Sequence, residues 1–172
     1  MNDIAFTKMH GLGNDFVIID ARGNACELSP EGVKALADRQ NGIGCDQVIL
    51  LETPPKTPYL RDVDVLMHIF NADGSKVYAC GNATRCVANI IMLESAQTSV
   101  KIAIGDATLT AKKQNNGLIS VDMGCPKFDW RDIPLSSEKN TLNFNIQNCP
   151  FKNVAAVNMG NPHCVIFVDD AD

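Results

Sequence analysis

The order of apolar and polar positions predicts a chain of short strands carrying two helices. Residues 4–20 open on the alternation of Phe6, Lys8 and His10. A Gly-Leu-Gly-Asn-Asp turn over 11–15 follows, then the apolar run Phe16-Val17-Ile18-Ile19 closed by Asp20, which reads as strand, loop, strand. Ser29-Pro30-Glu31 opens a helix, with Ser29 as the cap, Pro30 in the first turn and Glu31 on the dipole. Val33, Leu36 and Ala37 form its apolar face, and Asn41-Gly42 ends it. A short buried strand over 48–51 precedes a proline-rich loop over 53–58.

Val63, Val65, Met67 and Ile69 then alternate with their neighbours, a strand with one apolar face. Asp73-Gly74 marks a hairpin, and 76–79 return as a strand. From 83 to 93 the only polar residues are Thr84, Arg85 and Asn89. Apolar residues at helical spacing on more than one face predict a helix buried at the centre of its domain. Strands are expected near 100–104, 107–113 and 118–122, the last two joined by Asn115-Asn116-Gly117. Met123-Gly124-Cys125-Pro126 breaks the pattern, a polar stretch runs to about 150, and a last strand is expected from Cys164 to Val168. The break sets the expected domain division at 1–122 and 123–172.

Composition narrows the classes. The 172 residues make one ordinary domain or two small ones, with the 45% apolar and 20% charged content of a globular protein. No apolar run reaches the ~20 residues of a membrane span. The start of the chain lacks the basic and apolar regions of a secretory signal, so the expected location is the cytoplasm. A net charge of −5, no Lys/Arg cluster and 6% aromatics argue against nucleic-acid binding and against a polybasic membrane contact.

Seven cysteines stand at 26, 45, 80, 86, 125, 149 and 164. No Cys-x-x-Cys pair and no zinc-like Cys/His spacing is present, so no metal site is expected. Most of these cysteines read as small apolar residues. Cys80 differs, because Cys80-Gly81-Asn82 sits where a strand turns into a helix. Unsatisfied N–H groups and the dipole favour negative charge there. The thiol is therefore expected to ionise more readily, and the amides of Gly81 and Asn82 to hold a carboxylate. A thiolate beside a carboxylate cradle suits proton removal from the adjoining carbon. A buried cysteine that only caps a helix fits the same spacing, and both readings stand at this point.

The chain also contains an internal echo. Gly13-Asn14, a polar residue, an apolar strand and Asp20 find a counterpart in Gly160-Asn161-Pro162-His163, an apolar strand and Asp169. If this is a repeat rather than chance, the protein is built of two related halves, and the spacing places the counterpart of Cys80 beyond Asp172. Inverting a carbon needs an acid and a base on opposite faces, one from each half.

The runs FTKMHGLGNDFVIID, GIGCDQVILLE, FNADGSKVYACGNATRC and NMGNPHCVIFVDD, in that order, closely resemble diaminopimelate epimerase. The resemblance implies an α+β fold of two pseudo-symmetric domains, each a β-barrel-like sheet around a central helix, with the second domain incomplete here. It implies a cofactor-independent isomerase that interconverts LL- and meso-diaminopimelate for lysine and peptidoglycan synthesis. Cys80 matches one of two catalytic cysteines, and Gly81 and Asn82 match the donors to the reacting carboxylate. Asn14, Gln47, Asn71 and Asn161 match substrate-binding positions, and His163 matches a residue that tunes the thiols. A homodimer is compatible with the family. Read without it, Asn14, Asn71 and Asn161 are turn residues, Gln47 a strand edge and His163 an ordinary histidine.

Ala83-Thr84 stands where the family commonly has Gly-Ala, Tyr78-Ala79 replaces an acidic-Met pair, and Cys45 and Cys164 stand where Ala is common. The family's second Cys-Gly-Thr motif and its Glu-Arg pair fall beyond Asp172. Two rival readings follow. One is a thiol hydrolase using Cys80, His163 and Asn161. The other is a truncated, non-catalytic binding fragment.

Overall fold

A computed structural model describes residues 4–24 and 26–170. The chain divides into two compact units, Met1–Asp122 and Met123–Asp172.

The first unit is a sheet of eight strands with two helices. Its strands are β1 (Thr7–Gly11), β2 (Asn14–Asp20), β3 (Gln47–Glu52), β4 (Val65–Asn71), β5 (Lys76–Val77), β6 (Ser99–Ile104), β7 (Ala107–Lys113) and β8 (Ile119–Asp122). The helices are α1 (Pro30–Ala37) and α2 (Gly81–Ser95). The sheet order is β1-β2-β3-β4-β6-β7-β8, with β5 paired to β4. Two neighbouring pairs are parallel, β2 with β3 and β4 with β6. Parallel neighbours need a long crossover, and the two helices supply it. α2 touches both β1 and β8, the two ends of the strand order, as well as β6 and β7, so the sheet curls around it.

The apolar run 16–19 is buried throughout because both faces of β2 are covered. Val17, Ile19, Val48 and Leu50 pack with Val33 and Ala37 of α1. Alternation sends Phe16, Ile18, Ile49 and Leu51 to the opposite face, and all four are buried. Val65, Met67 and Ile69 of β4 are fully buried, as the alternation indicates, while Val63 lies before the strand and is only half-buried.

Several expectations need correction. α1 ends at Ala37, short of Asn41-Gly42. The Asp38 carboxylate accepts the N–H groups of Gln40 (2.7 Å) and Asn41 (2.9 Å), and the Leu36 carbonyl turns to Ile43 and Gly44, closing the helix early. α2 begins at Gly81 and runs to Ser95. Within it the polar Thr84 is buried and the apolar Leu93 is 72% exposed, the reverse of their residue types. Thr84 can be buried because its hydroxyl donates to the Cys80 carbonyl at 2.8 Å.

In the second unit the strands are β9 (Ala155–Asn158), which the pattern did not indicate, and β10 (Pro162–Val165), which replaces the expected 164–168. The β9–β10 ladder ends at Ala155 opposite Val165, because Val154 is bonded to Phe144 instead. Phe167 is left 86% exposed. Among the described residues no helix is long and apolar enough to cross a membrane.

Candidate active site

Three strands bring polar residues to one end of the sheet. Gly11 ends β1 opposite Asn14, the first residue of β2. Gln47 opens β3 beside Phe16, and Asn71 ends β4 opposite Gln47. The loop between β1 and β2 is only Leu12 and Gly13, and both have positive φ (51° and 94°), as a type I′ turn requires. The start of α2 reaches the same place. A Cβ on Gly11 would lie 3.4 Å from the Asn82 carbonyl, so the first residues of the helix stand within van der Waals reach of the hairpin.

Cys80 is the N-cap of α2, in extended conformation and half-buried. Its Sγ accepts the Ala83 N–H at 3.5 Å. Its carbonyl accepts both the N–H and the hydroxyl of Thr84. Sulfur and carbonyl are thus fixed at once. The N–H groups of Gly81 and Asn82, the first two of the helix, have no acceptor among the described residues. This is the free donor pair that a helix start offers an anion. The Cys86 thiol donates to the His10 carbonyl at 3.5 Å, and burial pushes both Cys86 and Cys45 above the ordinary thiol value, which suits inert core residues.

Side-chain hydrogen bonds link the expected binding residues. Asn82 donates from Nδ2 to Asn14 Oδ1 at 2.7 Å, and Gln47 donates from Nε2 to Asn71 Oδ1 at 3.0 Å. Asn71 donates in turn to Ser75 Oγ at 3.1 Å, across the Asp-Gly turn. Asp73 accepts both the N–H and the hydroxyl of Ser75, which holds its carboxyl below the ordinary range. Gly74, at φ 82°, lies so close to Pro30 that a Cβ would stand 2.8 Å from its carbonyl oxygen, so this turn rests on the start of α1.

A charged group that the spacing did not reveal stands behind Asn14. Asp15 receives Arg39 at 2.8 and 3.1 Å and Lys8 at 2.8 Å, and Asp46 receives Arg39 at 2.8 Å. The Arg39 guanidinium, helped by Lys8 and the Asp46 N–H, holds the Asp15 carboxyl far below the ordinary carboxylate value. Asp46 also accepts from Asn14 Nδ2 at 3.4 Å, and Arg85 donates to Asn82 Oδ1. Arg85 follows Asn82 by three residues on α2, the spacing of helix neighbours, and that was the one signal available in sequence. Asp15, Arg39 and Asp46 meet only through the pairing of β2 with β3, for which the sequence offers no register.

Asn161 and His163 belong to the second unit. His163 Nε2 lies 2.9 Å from Asn161 Oδ1, and both residues are exposed. His163 and Cys164 line a largely apolar hollow of about 370 Å³ together with Phe144, Ile146 and Pro162. The echo noted in sequence has a local structural form. Asn14 and Asn161 each follow a positive-φ glycine, Gly13 at 94° and Gly160 at 102°, in the loop of an antiparallel hairpin.

The sequence model of the family described as diaminopimelate epimerase matches residues 6–128. The diaminopimelate epimerase of Rhodospirillum centenum is 45% identical over 167 residues, covering 97% of this chain and 56% of that protein. The enzyme of the same name from Sphingopyxis alaskensis is 47% identical over 171 residues, covering 97% of this chain and 58% of its own length. The chain therefore spans little more than half the length of these relatives. A crystal structure of the Bacillus anthracis phenazine biosynthesis protein of the PhzF family superposes with a TM-score of 0.60 at 17% identity, covering 96% of this chain and 56% of that one. That likeness concerns the fold alone. The sequence likeness reaches further, since the matched span includes the Cys80 turn, the 11–14 hairpin and the Gln47–Asn71 pair, and on it the chain belongs to the diaminopimelate epimerase family.

Proposed function

We propose that the protein is a cofactor-independent epimerase interconverting LL- and meso-diaminopimelate, a cytoplasmic step toward lysine and peptidoglycan precursors, with Cys80 as one of two opposed thiols. The carrying observation is the start of α2, where the half-buried Cys80 sulfur stands beside two backbone N–H groups without acceptors. The substrate carboxylate sits on the N–H groups of Gly81 and Asn82. The Cys80 thiolate takes the proton from the adjoining carbon, and the electron pair left there is delocalised into the carboxylate against those dipoles. A second thiol on the opposite face returns a proton, which inverts the centre.

Asn14, Gln47 and Asn71 bind the remainder of the substrate from the same end of the sheet. Asn161 contributes from the second unit, and His163 tunes the thiols. Among the described residues α2 alone opens on a cysteine, so the second thiol is assigned to sequence that the longer relatives possess beyond the matched span. Residues 123–172 are read as the opening of the second half, which the matching glycine-asparagine hairpins support.

The test is exchange of the substrate α-hydrogen with solvent deuterium, followed by NMR on the full-length gene product. Cys80→Ala is expected to lower both exchange and epimerisation by about 10²–10⁴-fold. Wild-type turnover by that variant overturns the assignment.

A further inference from the structure

The amide groups at the start of α2 are strung between fixed charges. Arg85 donates to Asn82 Oδ1, Asn82 Nδ2 donates to Asn14 Oδ1 at 2.7 Å, and Asn14 Nδ2 donates to Asp46 Oδ2 at 3.4 Å. A guanidinium can only donate and a carboxylate can only accept. Arg85 at one end therefore demands the oxygen of Asn82, and Asp46 at the other demands the nitrogen of Asn14. Both demands impose the same direction on the amides between them. Asp46 is itself held, since Arg39 reaches its other oxygen at 2.8 Å and its N–H donates to Asp15 Oδ1 at 2.9 Å.

An amide alone can turn either its oxygen or its nitrogen to a ligand. Here each oxygen already accepts one hydrogen bond inside the chain of amides, and each Nδ2 retains one N–H without an acceptor among the described residues. Together with the free backbone N–H groups of Gly81 and Asn82, these make the start of α2 rich in donors. We infer that Arg85 and Asp46 are positioning residues that set the polarity of Asn14 and Asn82, making this end of the sheet select a carboxylate over an ammonium or amide group. This rests on the reading of Cys80, Gly81 and Asn82 as the reacting site.

Because either end suffices to fix the direction, the two act redundantly. In the full-length protein, Arg85→Met and Asp46→Asn are each expected to raise KM for diaminopimelate by about threefold, leaving kcat within about twofold. The double variant removes both instructions, and its KM should exceed the product of the single effects by at least about fivefold. Arg85→Lys keeps a cationic donor and should restore KM. Simple multiplication of the two effects overturns the proposal, as does loss of kcat with unchanged KM. Side-chain ¹⁵N resonances give a readout free of substrate. Arg85→Met alone should shift chiefly the Asn82 amide while Asp46 still holds Asn14, the double variant should shift both amides, and an Asn14 amide that is unmoved in the double variant also overturns it. A wild-type protein that does not turn over diaminopimelate refutes the function proposed above, while the resonances still judge the relay.

Discussion

At the residue scale, charge determines which groups hold their place. Asp15 takes Arg39, Lys8 and the Asp46 N–H, and its carboxyl ionises well below the ordinary value of 3.8. A lowered carboxyl stabilises the fold in full above its unfolded value, and that contribution fades as pH falls toward the folded one. Arg39 is 58% exposed, so the pair is screened and the contribution small. Asp15→Asn is expected to cost about 1 kcal/mol at neutral pH. The gap from wild type should narrow as pH drops below 3.8, measured by denaturant unfolding across that range. A gap independent of pH contradicts the assignment. Cys80 was legible in sequence because its signals are local: a strand, a Gly-Asn turn and a helix within a few residues. The Asp15–Arg39–Asp46 group was not, because its members meet only when β2 pairs with β3 across α1.

At the element scale, capping and turn chemistry decide where the chain changes direction. Ser29 capped α1 as the sequence suggested, accepting the Gly32 N–H at 3.1 Å. The end of α1 is not legible in sequence because Asp38 supplies a local alternative to the helix, and a short polar side chain gives no periodic signal. β9 was missed for a related reason, since four residues between irregular segments contain too few alternations to register. The β1–β2 loop offers a direct check. Leu12 is 89% exposed with φ 51°, so its side chain packs little while its backbone sits in the left-handed region. Leu12→Asn creates the Asn-Gly pair preferred in such loops and should stabilise the chain by about 0.5–1 kcal/mol. Equilibrium unfolding in urea measures this, and a destabilised variant shows that Leu12 serves another purpose.

At the scale of the whole molecule, the two units differ in what their sequence can bury. The first has α2 wrapped by a curled sheet and α1 on the outer face, with β2 and β3 covered on both sides. Among the described residues the second has Ile133, Val154 and Ala156 as its buried apolar residues, with Thr141 anchored to the Phe128 carbonyl at 2.6 Å. It leaves Leu142 and Phe167 62% and 86% exposed. Units below about 60 residues are marginal even with a full core. The β9–β10 sheet has two strands, supported by single bridges from Lys127 to Asn158 and from Phe144 to Val154, and so small a sheet is marginal in water. Hydrogen exchange on the 172-residue chain should therefore separate the units. Amides of β2, β3 and α2 should exchange only through global opening, and those of β9 and β10 at least about 100-fold faster. A chain of residues 1–122 alone should retain the slow amides with nearly unchanged rates. Equal protection in both units, or collapse of the slow amides when 123–172 are removed, would show that the small unit is an integral part of the folded core. The expected result instead confines the stable scaffold to the half that carries Cys80, so that a short second unit leaves the donor array at the start of α2 intact.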